Sequence, residues 1–330
     1  DMADLRLRAA LARDVVARAA LPRDLVEEIL TAYRELGPGT PSVAVRSSAT
    51  AEDLPDASFA GQHESYLGVV GEEALLDAVV NCFASLFTER AIHYRVDQGF
   101  DHFKVALSVG VMQMVRSDRA ASGVMFTLDT ESGCRDVVFL TSSYGLGENI
   151  VQGAVDPDEF YVHKPTFRAG HRMVLRRRLG TKSKTMVLGH LGPANVQTSA
   201  DDRNRFSITD EDVLELADHA LAIEEHYGRP MDIEWAKDGV DGLLYVVQAR
   251  PETVASQRSA TLLDRYVVGS HGRVLADGRA VGDRAAIGAV RVVRGPEELA
   301  DFRPGEVLVA DTTTPDWEPV MKTAAAVVTD

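Results

Sequence analysis

Four polar side chains fall on two apolar stretches of the sequence with the same spacing. Asp232 and Glu234 are separated by one residue, and so are Gln248 and Arg250 further along the chain. Because alternate residues of a β-strand lie on one face, each pair is expected to share a face. If the two stretches pair as a hairpin through residues 238–242, two carboxylates, an amide and a guanidinium converge.

This combination of groups suits a site for a metal ion and phosphate. Carboxylate and amide oxygens are ligands that Mg²⁺ accepts together with nucleotide phosphates, and a planar guanidinium can bind two phosphate oxygens. The alternative is a solvent-facing strand surface with an internal salt bridge, which is the better interpretation of an isolated Asp-x-Glu pattern. The matching Gln-x-Arg pattern on the next strand favours the functional interpretation.

A second candidate for a phosphate-binding site lies near the N-terminus, where Arg46 is the last residue of a predicted β-strand at 42–46. A polar stretch at 47–58, rich in small residues, follows it and leads to Gly61 and Gln62. Small residues allow backbone amides to approach phosphates, and the arginine supplies positive charge. A plain surface loop is the alternative for such a composition.

A third candidate is the Gly-x-Gly turn within residues 144–149, between a predicted strand and a predicted helix. By itself it is a weak signal, because it lacks the third glycine and the βαβ context of a dinucleotide-binding fingerprint.

The elements that position these residues can be read from hydrophobic periodicity. It predicts helices at 22–36, 72–98 and 211–226, and strands at 42–46, 105–115, 123–128, 137–141, 160–162, 231–235 and 243–248. Helices and strands without strict alternation favour an α+β fold over a doubly wound sheet.

The pattern changes after Pro251. The stretch 256–264 is expected to link two domains, and 272–294 predicts short strands with tight turns. Two buried strands are predicted at 307–310 and 325–328, on either side of a helical segment at 316–322. We therefore expect one domain over 1–255 and another over 256–330.

Composition excludes several classes of protein. Of the 330 residues, 45% are hydrophobic, which is ordinary for a folded protein. The formal net charge of −15 is unfavourable for binding nucleic acid. Cys82 and Cys134 each lie in an apolar setting and are predicted to be buried thiols. The sequence shows no long apolar run and no basic N-terminal leader. We expect a cytoplasmic protein that binds no membrane.

Several segments, in order along almost the whole chain, resemble the family of phosphoenolpyruvate-utilising dikinases. They are residues 45–53, 58–62, 122–127, 144–149, 231–235, 248–253 and 314–321. The resemblance implies an ATP-grasp nucleotide-binding domain over 1–255, followed by part of a swivelling β/α phosphohistidine domain over 256–330. It implies an enzyme that makes phosphoenolpyruvate from pyruvate, ATP and water, releasing AMP and phosphate.

The resemblance also assigns roles to individual residues. It implies that Glu234 and Gln248 hold Mg²⁺ together with the ATP phosphates, and that backbone groups at Gln113, Met114 and Val115 read the adenine. The residues expected to bind ATP are Arg46, Gly61, Gln113, Met114, Val115, Asp232 and Arg250.

The sequence also departs from the family pattern. No glycine-rich segment with a phosphate-binding lysine precedes Ala44, and the last histidine, His271, lies outside the phosphohistidine motif expected beyond Asp330. We therefore expect a fragment that also lacks the pyruvate-binding C-terminal barrel and cannot complete the reaction alone. The parent enzyme is expected to be a homodimer.

Two other functions remain open at this point. A rifampicin phosphotransferase-like antibiotic kinase resembles the same family through the same two domains. A nucleotide-binding regulator that kept the ATP fold but lost the chemistry is the alternative from another class, and the retained set of polar site residues argues against it.

Overall fold

In the computed structural model, the described residues are 2–50, 53–54, 57–58, 65–97, 99–102, 104–189, 192–257, 272–278, 285–313 and 317–329. They divide into two compact units, Asp1–Thr130 with Cys134–Gln257, and Glu131–Gly133 with Arg258–Asp330. Gly61, Gln62 and residues 314–316, which the sequence analysis singled out, lie outside the described residues.

The described part of the chain contains both helices and strands. The helices are α1 (Met2–Ala17), α2 (Arg23–Glu35), α3 (Glu72–Ala84), α4 (Glu89–Asp97), α5 (Glu148–Val151), α6 (Lys164–Arg168), α7 (Ala200–Arg203), α8 (Asp210–Tyr227) and α9 (Glu318–Met321). The strands are β1 (Val43–Ala49), β2 (Asp53–Leu54), β3 (Ala57–Ser58), β4 (Ser65–Val69), β5 (Leu107–Gln113), β6 (Ala121–Phe126), β7 (Val137–Tyr144), β8 (Asp158–His163), β9 (Arg176–Arg178), β10 (Lys184–Gly189), β11 (Gly192–Gln197), β12 (Met231–Lys237), β13 (Leu244–Pro251), β14 (Val290–Val292), β15 (Val307–Ala310) and β16 (Ala326–Thr329). This mixture confirms the α+β prediction.

The first unit contains a small antiparallel sheet that carries Arg46. Its strand order is β4-β1-β5. Val43 and Val45 of β1 are fully buried against Leu75 and Val79 of α3. Because successive side chains of a strand alternate between faces, Arg46 lies on the face opposite Val45 and away from this core.

The same unit contains a larger sheet, which carries the other predicted site residues. Its six strands have the order β13-β12-β6-β7-β8-β9, and each neighbouring pair is antiparallel. Met231, Ile233 and Trp235 of β12 are buried with Leu216 of α8. The alternate residues of β12 therefore occupy the face away from this core.

The start and the end of helix α8 are set by capping residues next to them in sequence. The Thr209 side chain accepts a hydrogen bond from the backbone of Asp212, whose carboxylate in turn accepts from the Thr209 backbone, so a capping box starts the helix. Gly228 ends it in the left-handed conformation at φ 65°. These signals explain why the prediction of a helix at 211–226 is close to the observed bounds.

The second unit contains a parallel sheet with the order β14-β15-β16. Leu308 of β15 is buried with Val293 and Trp317. The prediction that both of its later strands are buried is wrong for β16, in which Val327 and Val328 are exposed. In the described part of 272–294 the structure has the single short strand β14.

Two further predictions need correction. The helix predicted over 72–98 is interrupted by the 3₁₀ turn Ser85–Phe87, because Thr88 adopts an extended conformation and its hydroxyl accepts from the Ala91 backbone at the start of α4. Cys82 is buried as predicted, but Cys134 is exposed. Its neighbours in sequence are apolar only in part, so local composition was a poor guide to burial.

Several elements carry too little periodic signal to be found from the sequence. Strands β10 and β11 form an antiparallel hairpin that leaves most of its side chains exposed or half-buried, so it lacks the apolar alternation of a core strand. Helix α1 and strand β4 were likewise not predicted. Within the described residues, none of the helices combines the length and the apolar character needed to cross a membrane.

Candidate functional site

Strands β12 and β13 pair as the hairpin that the sequence predicted. Asp232 lies opposite Arg250, and Glu234 lies opposite Gln248, with an irregularity in the ladder directly after Glu234. All four side chains are half-buried, on the face of the sheet away from its core. These four residues are called the polar face below.

The Asp232 and Arg250 side chains form an ion pair within the polar face. Nε and Nη2 of Arg250 donate to Oδ2 of Asp232 at 2.9 and 2.7 Å. Burial raises the pKa of Asp232 above its ordinary value, although the neighbouring Arg250 opposes that shift. The pair therefore keeps a charged guanidinium on the polar face in a fixed orientation.

Arg46 reaches the polar face from β1, in the small sheet β4-β1-β5. Its Nη2 atom donates to Oε2 of Glu234 at 2.7 Å and to Oε1 of Gln248 at 2.8 Å. Its Nη1 atom lies 3.5 Å from the carbonyl oxygen of Val247. The Arg46 and Glu234 side chains are each 24% exposed. The structure thus brings together two candidates that the sequence analysis treated separately.

Glu148 is a further member of this cluster that the sequence analysis did not select. Burial raises the pKa of its carboxyl group, the positive charge of Arg46 lowers it, and the negative charge of Glu234 raises it. These electrostatic interactions show that Glu148 lies near both residues. The signal available in the sequence is its place directly after the Gly-x-Gly turn, and that turn lacks the third glycine of a dinucleotide-binding fingerprint.

The turn before Glu148 is held by close backbone contacts. Gly145 has a φ of 88°, and a Cβ atom there would lie 2.3 Å from the carbonyl oxygen of Met186 in β10. The Leu146 amide donates to that same oxygen at 2.9 Å, and the Ser122 hydroxyl donates to the Gly145 carbonyl at 2.6 Å. Glycine is required here both for the conformation and for the approach of β10.

The predicted adenine-binding segment lies at the end of β5. Gln113 is exposed, whereas Met114 and Val115 are half-buried. The Met114 amide donates to the carbonyl oxygen of Ser42 at 2.9 Å. The Met114 amide is therefore already hydrogen-bonded within the protein.

The residue after this segment connects it to the β12–β13 turn. The Arg116 amide donates to Oδ2 of Asp238 at 2.9 Å, and the Gly239 amide donates to the Arg116 carbonyl at 3.1 Å. The segment that follows β5, a strand of the small sheet, is thus fixed to the hairpin that carries the polar face.

The donors at the polar face fit a hard divalent cation that also binds a nucleotide. Glu234 and Gln248 present one carboxylate oxygen and one amide oxygen to the same positively charged group. Mg²⁺ usually takes one or two protein oxygens and completes its coordination with substrate phosphates and water. Among the residues that the structure describes, no group of three or more His, Cys, Asp and Glu side chains is arranged to hold a metal ion.

The chain is similar to proteins of known families. The family described as pyruvate phosphate dikinase, AMP/ATP-binding domain, matches residues 1–266. A phosphoenolpyruvate synthase from Pseudomonas aeruginosa (strain UCBPP-PA14) is 57% identical over 325 residues, which are 96% of this chain and 41% of that relative. One from Escherichia coli (strain K12) is 52% identical over 337 residues, or 100% of this chain and 42% of that relative.

A more distant relative is a probable phosphoenolpyruvate synthase from Pyrococcus abyssi (strain GE5 / Orsay). It is 40% identical over 343 residues, covering 100% of this chain and 40% of that relative. The chain thus spans less than half the length of each of these relatives. Since the family match covers residues 1–266, the chain belongs to the pyruvate phosphate dikinase AMP/ATP-binding domain family.

Proposed function

We propose that residues 1–255 are the ATP-binding domain, of ATP-grasp type, of an enzyme that makes phosphoenolpyruvate from pyruvate, ATP and water. The observation that carries the proposal is the meeting of Arg46 with the polar face, where two guanidinium groups and two metal-ligand oxygens lie together. The names of the relatives support phosphoenolpyruvate as the product.

In this proposal, the side chains bind and orient the phosphates of ATP. Arg46 and Arg250 present donors to phosphate oxygens, and Asp232 fixes the direction of the Arg250 guanidinium. Glu234 and Gln248 hold Mg²⁺, which when bound neutralises charge on the phosphates. Phosphoryl transfer requires little covalent chemistry from the protein, so positioning and charge stabilisation are the main contributions of these groups.

Further parts of the function belong to the same proposal. Backbone groups at 113–115 bind the adenine, and Gly61 contributes to ATP binding. Residues 256–330 are part of a swivelling domain that carries a phosphohistidine in the parent enzyme, between the ATP site and a pyruvate site. The 330-residue chain alone does not complete the reaction, and the parent enzyme is a cytoplasmic homodimer.

Calorimetric titration of the chain with the ATP analogue AMP-PNP, with and without Mg²⁺, tests the ATP site. We expect Glu234→Gln to weaken binding by about 10-fold to 100-fold in the presence of Mg²⁺, because the variant replaces a carboxylate ligand of the metal with a neutral amide. Glu225→Gln, at an exposed position of α8, is the matched control. Equal binding by both variants and the unaltered chain would contradict the assignment.

Phosphorus NMR of the full-length polypeptide tests the acceptor. With Mg²⁺ and ATP, we expect phosphoenolpyruvate, AMP and phosphate to accumulate only when pyruvate is present. AMP and phosphate without phosphoenolpyruvate in the presence of pyruvate would contradict pyruvate as the acceptor, while leaving the ATP site intact.

A further inference from the structure

A single nitrogen atom of Arg46 contacts both oxygens that are proposed to hold the metal. Nη2 lies 2.7 Å from Oε2 of Glu234 and 2.8 Å from Oε1 of Gln248. Both distances are typical of a hydrogen bond from a charged donor. In this structure the arginine therefore occupies the position between these two oxygens.

This contact also fixes the orientation of the Gln248 amide. A guanidinium carries hydrogen-bond donors and no acceptor, so the side chain of Gln248 must turn its oxygen toward Arg46. A metal ion requires the same oxygen. Arg46 thus holds the amide in the orientation that suits a cation, while supplying a cation of its own.

The charges around the two oxygens leave little attraction for an additional free cation. Glu234 is paired with Arg46, and Asp232 is paired with Arg250. A divalent cation that approaches Glu234 and Gln248 must displace the Arg46 guanidinium or be repelled by it.

We propose that Arg46 is an internal placeholder for the divalent cation, so that the metal binds tightly only together with the nucleotide. The phosphates give the guanidinium another anionic partner, and its departure opens both oxygens to the metal. Arg46 thereby makes the binding of metal and nucleotide mutually favourable. This inference rests on the proposed ATP site and adds a mechanism by which that site rejects free metal.

Titration with Mn²⁺ alone, followed by the electron paramagnetic resonance of the free ion, tests the placeholder. Arg46→Met removes the charge and keeps the length of the side chain, so we expect it to bind Mn²⁺ at least about tenfold more tightly than the unaltered chain. Arg46→Lys keeps the charge and is expected to bind Mn²⁺ alone weakly. Arg34→Met, at an exposed arginine paired with Glu72, is the matched control.

A second titration measures the coupling between metal and nucleotide. In the unaltered chain, AMP-PNP should tighten Mn²⁺ binding, and by linkage Mn²⁺ should tighten AMP-PNP binding by the same factor. Arg46→Met should reduce that factor. Circular dichroism of both Arg46 variants establishes that they are folded, and Arg46→Lys provides the comparison if Arg46→Met is not.

The outcomes separate the placeholder from the proposed function. If Arg46→Met and the unaltered chain bind Mn²⁺ alone equally, and Glu234→Gln still weakens binding of Mn²⁺ with AMP-PNP, the placeholder is wrong and the ATP site stands. If Glu234→Gln changes Mn²⁺ binding neither alone nor with AMP-PNP, both are overturned. Should Arg46→Lys bind Mn²⁺ alone as tightly as Arg46→Met does, charge is not the cause and the placeholder is also wrong.

Discussion

Nζ of Lys182 lies 2.6 Å from Oδ1 of Asp158, and solvent reaches neither side chain. Lys182 also has a φ of 41°, in the left-handed region that few residues other than glycine adopt. The Asp158 carboxylate accepts further hydrogen bonds from the amides of Gly180 and Ser207. The ion pair therefore anchors the segment that leads into β10, the strand that holds the turn at Gly145.

The first prediction concerns this ion pair. We expect Lys182→Met to lower the free energy of unfolding by about 3–5 kcal/mol, because it leaves the Asp158 charge buried without its counter-ion. Urea denaturation followed by circular dichroism measures the change. Lys184→Met, at an exposed residue of β10, is the control and should alter stability by less than about 1 kcal/mol. Equal stability of the two variants would show that the pair contributes little.

The second prediction concerns the approach of the turn to β10. Gly145→Ala should destabilise the protein and weaken AMP-PNP binding, because its Cβ atom would lie 2.3 Å from the Met186 carbonyl oxygen. Gly153→Ala is a matched control, since Gly153 also has a positive φ, at 66°, but has nothing within 4 Å of the added atom. Thermal unfolding and calorimetric titration compare the two. A larger effect in Gly153→Ala would mean that backbone conformation, and not the close approach, determines the cost.

The third prediction follows from the buried carboxyl group of Glu148. Because its pKa is raised in the folded protein, the folded state keeps this proton at a pH where the unfolded state has lost it. The contribution of Glu148 to the free energy of unfolding therefore falls as pH rises from the ordinary glutamate pKa to the raised value. The Glu148→Gln side chain carries no charge at any pH, so the free energy of unfolding of this variant should lack that fall. The stability of the variant relative to the unaltered chain should therefore increase as pH rises across this window.

Urea denaturation at several pH values from 4 to 7 measures this difference in stability, and exposed Glu225→Gln on α8 serves as its control. A difference that stays constant with pH would argue against a raised pKa at Glu148.

The fourth prediction compares two ion pairs that differ in burial. Asp232 and Arg250 form a pair in which the side chains are 13% and 24% exposed. A double-mutant cycle with Asp232→Asn and Arg250→Met should give a coupling energy of about 1–3 kcal/mol. The same cycle on Arg34 and Glu72, which are 60% and 45% exposed, should give about 0–1 kcal/mol. Equal coupling in both cycles would show that burial does not strengthen the pair on the polar face.

The sequence by itself determined the parts of the site that depend on local pairing. The alternation of Asp232 with Glu234, and of Gln248 with Arg250, indicated one face for each pair, and the short turn at 238–242 indicated that the two strands pair. The sequence did not indicate the irregularity directly after Glu234 that places Glu234 opposite Gln248. The start and end of α8 were similarly determined by capping residues close to them in sequence. In these cases the interacting groups lie near one another along the chain.

Only the tertiary structure decided which distant residues meet the polar face. Arg46 is separated from Glu234 by 188 positions, and nothing in the sequence around Arg46 indicates that its guanidinium lies between Glu234 and Gln248. Glu148 joins them because β10 holds the Gly145 turn, and β10 belongs to a largely exposed hairpin without an apolar pattern. The reason is physical: periodicity records which side chains avoid water, whereas the meeting of polar groups from different sheets depends on how those sheets pack.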